Sequence, residues 1–211
     1  DICTTCEAGK FSVSQSSICT PCSPGYAQIN EGKSSCNICS EGTISTSSGS
    51  KSCDSCPAGQ YAANEGATQC LVCEAGTYAA GSGNGACMNC GSGSFSAPGA
   101  GGCESCPAGK KAESAGSETC LDCEAGRYSP GGSSVCSPCE VGRYGPSTNL
   151  GACLECGVGK HSKGKTAATT CDDCTAGTYQ GIPGSGYCNS CLPGTFAAGA
   201  GNSECTLCSA G

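Results

Sequence analysis

Large apolar side chains are what this sequence lacks. Leu, Ile, Val and Phe together number 20 in 211 residues, Trp is absent and Met occurs once. So little apolar volume excludes an ordinary globular core, because burial has to offset the conformational entropy lost on folding. Basic charge is scarce too: ten Lys and Arg face 17 Asp and Glu, giving a net charge of −7. Such a chain repels a phosphate backbone or an anionic membrane surface, so no nucleic-acid partner is expected. No apolar run approaches the roughly 20 residues of a membrane span. Only one histidine is present, and no nucleophile is set beside a base, so no enzyme activity and no cofactor are expected.

Cysteine and glycine are abundant instead, 26 and 35 residues respectively. So many thiols would be a liability in a reducing compartment, whereas core-poor, cysteine-dense modules are typical of secreted proteins. The chain is therefore expected to be secreted, extracellular or on the cell surface, with disulfides replacing the core. All the cysteines fall in one repeating phrase: CxxC begins at Cys3, Cys19, Cys36, Cys53, Cys70, Cys87, Cys103, Cys120, Cys136, Cys153, Cys171, Cys188 and Cys205. A glycine follows the second cysteine of each copy by three residues, from Gly9 and Gly25 through to Gly211. Thirteen glycines in thirteen copies mark a backbone position that needs a positive φ, or closer approach than a Cβ allows.

Two residues past that glycine an aromatic usually stands: Phe11, Tyr61, Tyr78, Phe95, Tyr128, Tyr144, Tyr179 and Phe196. A ring there is expected to cover the disulfide and the tight turn as a miniature core. Ala27, Ile44, Lys111 and His161 occupy the same slot without a ring, and Tyr26 lies one place early. The Gly-, Ser-, Ala- and Asn-rich stretch that completes each copy, such as AAGSGNGA from Ala79, reads as variable exposed turn and loop. Helical periodicity is nowhere sustained. A longer period of about 50 residues overlies the short one: Cys53–Tyr78 and Cys103–Tyr128 share 15 of 26 residues. The copies are accordingly expected to group in threes, as 3-52, 53-102, 103-152 and 153-204, within one continuous array over 1-211.

The phrase CxxCxxGxY with its Gly/Ser-rich return resembles the ephrin-receptor-like cysteine-rich repeat, and its opening half is similar to the first small module of tumour-necrosis-factor-receptor cysteine-rich domains. The resemblance runs from Cys3 onward. It implies an elongated, solenoid-like rod of small disulfide-rich repeats, with short β-hairpins, turns and almost no helix. Spacing alone leaves several pairings open: within each CxxC, or Cys3 with Cys19 and Cys6 with Cys22 in two-copy blocks, or second cysteine to the next copy's first. The third is the one the resemblance implies. It joins Cys6 to Cys19, Cys22 to Cys36, Cys39 to Cys53, Cys56 to Cys70, Cys73 to Cys87 and Cys90 to Cys103. It continues with Cys106 to Cys120, Cys123 to Cys136, Cys139 to Cys153, Cys156 to Cys171, Cys174 to Cys188 and Cys191 to Cys205. Cys3 and Cys208 then seek partners beyond either end, so the stretch is expected to be a segment of a longer chain. Closing a loop of about 14 residues contributes roughly 3 kcal/mol. Ordering each of those residues costs about 1–2 kcal/mol, so the copies must also stack on their neighbours.

Metal chemistry is the main rival for CxxC pairs, since two copies lie near the spacing of a four-cysteine zinc site. An odd number of copies does not divide into such sites, however, and an acidic chain gives thiolates little support. His161, in GKHSKGK, reads as part of a solvated basic loop rather than as a ligand. Asp172 and Asp173 read as exposed acids rather than Ca²⁺ ligands. Asn-x-Ser/Thr is absent, but hydroxyls crowd the return stretches, and O-linked glycans are expected on acceptors such as Ser12, Ser14, Thr43, Ser45, Thr46 and Thr166. Near-uniform copies favour a structural protein: a stalk, filament or surface coat whose partners are itself or further repeats of the same chain. The alternative is a receptor or adhesion ectodomain that binds a protein ligand, which should break the repeat with a concentrated patch of anchor residues.

Overall fold

The computed structural model describes residues 5–209. It contains no helix among those residues, and its regular structure is a series of two-residue strands paired into twelve antiparallel hairpins. Each hairpin joins the residues just after one copy's glycine to the residues inside the next CxxC. Gln60–Tyr61 pairs with Leu71–Val72, for example, with Tyr61 opposite Leu71. Before each hairpin lies a tight turn over the glycine, closed by bonds such as Gln60 N–H to the Pro57 carbonyl at 3.1 Å. The glycine there has a positive φ, +78° at Gly59, while the residue before it does not, which is the arrangement of a type II turn. Where threonine follows the glycine, as at Thr43, Thr77, Thr178 and Thr195, its hydroxyl donates to the same carbonyl and reinforces the turn.

Main-chain hydrogen bonds carry each copy onto the next. Gly59 N–H donates to the Ala79 carbonyl, Ala62 N–H to Asn84, and Gly83 N–H to the carbonyl of Cys56, at 2.9, 3.0 and 2.8 Å. The same three bonds recur in equivalent places along the array. Stacking reaches further than adjacent copies. A Cβ added to Gly59 would overlap the carbonyl oxygen of Gly99, two copies on, and the same holds between Gly25 and Gly66 and between Gly142 and Gly184. Positive φ and close approach are thus both required at this glycine. The chain divides into two compact units, the first running to Gly91 with Phe95–Glu104 and Ala115–Thr119. The second comprises Ser92–Ser94, Ser105–Ser114 and the chain from Cys120 on. That interleaved boundary follows from the two-copy reach: Gly76 abuts Gly116 within the first unit, Gly93 abuts Gly132 within the second.

The buried interior of each unit is a column of sulfur and small side chains. From Cys6 to Cys174 the second cysteine of each CxxC is buried, most of them completely, as Cys22, Cys39, Cys56, Cys90, Cys123 and Cys139 show. Beside them lies the residue three places past the glycine, which is Ala62, Ala79, Ala112, Ser45, Ser96, Ser129 or Ser162, all buried. In two copies the place is taken by glutamine, and the amide folds onto its own loop. Gln28 Nε2 donates to Ser35 and its Oε1 accepts from Asn30 N–H; Gln180 does the same with Tyr187 and Ile182. No buried side-chain polar atom lacks a partner among the described residues.

Candidate interaction surface

Twelve disulfides join the second cysteine of each copy to the first of the next, from Cys6–Cys19 to Cys191–Cys205, with Cα separations of 5.5–5.8 Å. Cys208 is exposed and unpaired, and Cys3 lies outside the described residues. The aromatic slot is only half-buried, and Phe196 is largely exposed, so the ring is a lid over the column rather than the core expected of it.

Of the hydroxyls expected to carry glycans, Ser14, Thr46 and Thr166 are exposed. Ser12 and Thr43 are half-buried and donate to the carbonyls of Ser16 and Ser40. Ser45 is 1% exposed and its hydroxyl turns toward Ser47. It sits in the buried column because the place three past the glycine faces inward, and a glycan there has no room; Ser45 is withdrawn as an acceptor.

A second left-handed position, which sequence reasoning took for variable filler, lies four residues before each first cysteine. Glycine holds it nine times, from Gly32 to Gly201, with Gln15, Asn149 and Ala167 as the exceptions, all at positive φ. From Gly32 onward its N–H donates to the buried cysteine carbonyl one copy back. From Gly49 onward its own carbonyl presses on the turn glycine two copies back. The fixed spacing to the following cysteine was the available signal, masked by the many other glycines nearby.

Ion pairs are concentrated in the second unit. At one register position in three of the hairpins, Lys110 pairs with Asp122, Arg143 with Glu155 and Lys160 with Asp173. Lys111 pairs with Glu113, and Lys163 with Asp172 at 2.8 Å. The hydrogen bond from the Lys163 ammonium holds the Asp172 carboxyl below its ordinary pKa, and that from Lys111 does the same for Glu113. The basic run GKHSKGK is therefore largely neutralised by its own neighbours and is not an anion-binding patch. His161 Nδ1 accepts from Lys163 N–H at 3.1 Å. Among the described residues no group of three His, Cys, Asp or Glu is placed to hold a metal.

A surface groove recurs at one place in the repeat. It is walled by the slot residue of one copy, by the residue after the next copy's glycine, and by the following first cysteine with the residue before it. Four such grooves are formed by Phe11, Tyr26, Ser35 and Cys36; by Lys111, Arg127, Val135 and Cys136; by Tyr144, Lys160, Thr170 and Cys171; and by His161, Thr178, Tyr187 and Cys188. Where a ring fills the slot the volume is about 230 Å³ at Phe11 and 260 Å³ at Tyr144. Where the slot holds Lys111 or His161 it is about 500 and 550 Å³. Lys111 and His161, two of the four departures from the aromatic pattern, therefore leave the groove roughly twice as large, at sites 50 residues apart.

The cysteine phrase, the glycine turns and the serial disulfides define a small disulfide-rich repeat module. Residues 9–56, 42–77, 59–98 and 126–174 match the family model described as tyrosine-protein kinase ephrin type A/B receptor-like. These stretches cover more than half of the chain, and it belongs to that family. No curated protein matches the sequence. Family and disulfides together mark an extracellular, disulfide-rich domain of a non-catalytic type. Among the described residues no helix is long and apolar enough to cross a membrane.

Proposed function

We propose that this chain is a structural element of the cell exterior: a disulfide-stapled repeat that forms a stalk, filament or surface coat. The observation that carries this reading is the use of each copy's backbone to hold the following copies. Each turn glycine from Gly9 to Gly159 donates to the next copy and abuts the next but one, so residues go to self-contact and the units stay nearly uniform. Imaging of the native full-length protein on its source surface tests it. Long polymers or a continuous coat support the proposal, and a single ectodomain bound to a soluble ligand overturns it. The receptor or adhesion reading is favoured by one observation, the two enlarged grooves at Lys111 and His161.

O-glycans on Ser14, Thr46 and Thr166 suit either setting, since sugar on these exposed turns shields a backbone that no core protects. Intact-mass measurement of material from the source decides it. Hexose-spaced heterogeneity mapping to the loops closed by Cys6–Cys19, Cys39–Cys53 and Cys156–Cys171 is the expected outcome, and the bare oxidised mass rejects it.

A further inference from the structure

The enlarged grooves have a shape that the fold itself explains. In most copies a tyrosine or phenylalanine from the chain's own slot lies across the opposite strand, as Tyr61 lies opposite Leu71 and Tyr144 opposite Leu154. Leu121 occupies that place opposite Lys111. With no ring over it, it is 59% exposed, against 45% for Leu71 and 48% for Leu154. The Lys111 groove is completed by Asp122, Glu124, Arg127 and Val135, the last 63% exposed. Among the described residues no carboxylate lies within ion-pair distance of Arg127, whose guanidinium donates to the Cys136 carbonyl. The His161 groove is lined by Asp173, Thr175, Thr178 and Tyr187, the last 67% exposed.

We propose that the grooves at Lys111 and His161 are docking pockets for a tyrosine side chain presented by a partner polypeptide, which takes the place that the missing ring holds in other copies. The chemistry of the walls fits this occupant. Leu121 and Val135 offer apolar surface to the ring, Arg127 offers a cation to its face, and Tyr187 offers an edge-to-face or offset-stacked contact. Asp122 and Asp173 each spend part of their acceptor capacity on Lys110 and Lys160. A carboxylate accepts about four hydrogen bonds, so each retains room for a phenolic O–H. The local neutralisation of Lys110, Lys111, Lys160 and Lys163 argues against a polyanionic occupant.

The test titrates the oxidised 211-residue chain with N-acetyl-tyrosinamide and follows side-chain NMR signals. Saturable upfield ring-current shifts of the Val135 methyls and the His161 ring protons, with none at Pro146 or Thr169 beside the filled Tyr144 groove, are the expected result. Lys111→Tyr and His161→Tyr close the grooves with the chain's own ring and should each weaken binding at their own site by about tenfold or more, roughly 1.4 kcal/mol, with unchanged disulfides. Should either variant fail to fold, Tyr144→Lys supplies the converse: it opens a third groove and should add a third saturable site. Equal shifts at the filled grooves, binding that survives both closures, or saturation by methyl glycosides but not by N-acetyl-tyrosinamide would each overturn the proposal. The first-named outcome among these would show non-specific contact, and the last a carbohydrate site. The grooves exist whether the chain is a filament or a receptor, so this result stands apart from the imaging of the native assembly.

Discussion

At the residue scale, the turn glycine combines two demands that substitution can separate. Gly59 and Gly177 share a φ of +78°, but an added Cβ meets the Gly99 carbonyl at the first and nothing within 4 Å at the second. Alanine at Gly177 should therefore cost only the left-handed strain of about 1–2 kcal/mol. Alanine at Gly59 must in addition push backbone aside, and should lower both the melting temperature and the yield of correct disulfides much further. Equal losses at the two sites would show that φ alone matters. The reverse experiment lies at Ala167, a non-glycine at φ 56° in the second left-handed position. Ala167→Gly should stabilise by about 1 kcal/mol, read as a raised thermal midpoint. The turn glycine was legible because it follows its cysteine in every copy. Ala167's position was not, because its requirement comes from a hydrogen bond to Cys139, 28 residues earlier, and not from anything local.

At the scale of the element, a hairpin of two-residue strands does not hold by itself, and its stability comes from the disulfide closing it and from the copies on either side. Replacing Cys56 and Cys70 by alanine should cost about 3 kcal/mol through the 14-residue loop. Hydrogen exchange should rise at Gly83, in the next copy, as well, because its N–H is bonded to the Cys56 carbonyl one copy back. Protection unchanged at Gly83 would mean that copies open independently. Ion pairs across the hairpins add little, since their partners are exposed. The Asp172 carboxyl, its folded pKa lowered by Lys163, favours folding above its unfolded pKa, and that contribution disappears as pH falls through the lower folded value. Lys163→Ala should return the Asp172 titration midpoint, followed by NMR, to the ordinary carboxylate value.

At the scale of the whole molecule, thiols and metal make opposite predictions. Labelling of the unfolded, unreduced 211-residue chain should modify no more than Cys208 and Cys3, and chelators should leave the thermal midpoint unchanged. Quantitative labelling of the cysteines, or unfolding by a chelator alone, would restore the zinc reading. The expected stacking of copies on their neighbours reaches one copy further within both units, because each turn glycine from Gly9 to Gly159 meets the backbone of the copy two places on.

The sequence by itself determined the copy length, the turn glycine, the absence of helix and the extracellular class, because each of these is a local requirement written again in every copy, and the four ring-free slots stand out as departures from it. Only the tertiary structure decided that Ser45 faces inward, that a second left-handed residue anchors each return, and that Lys111 and His161 leave grooves open rather than merely uncovered. Those depend on main-chain carbonyls and side chains brought together from 20 to 40 residues apart. A backbone group looks the same at every position, so the demand it makes shows only indirectly, as a glycine at fixed spacing before the next cysteine, lost among the other glycines of each return.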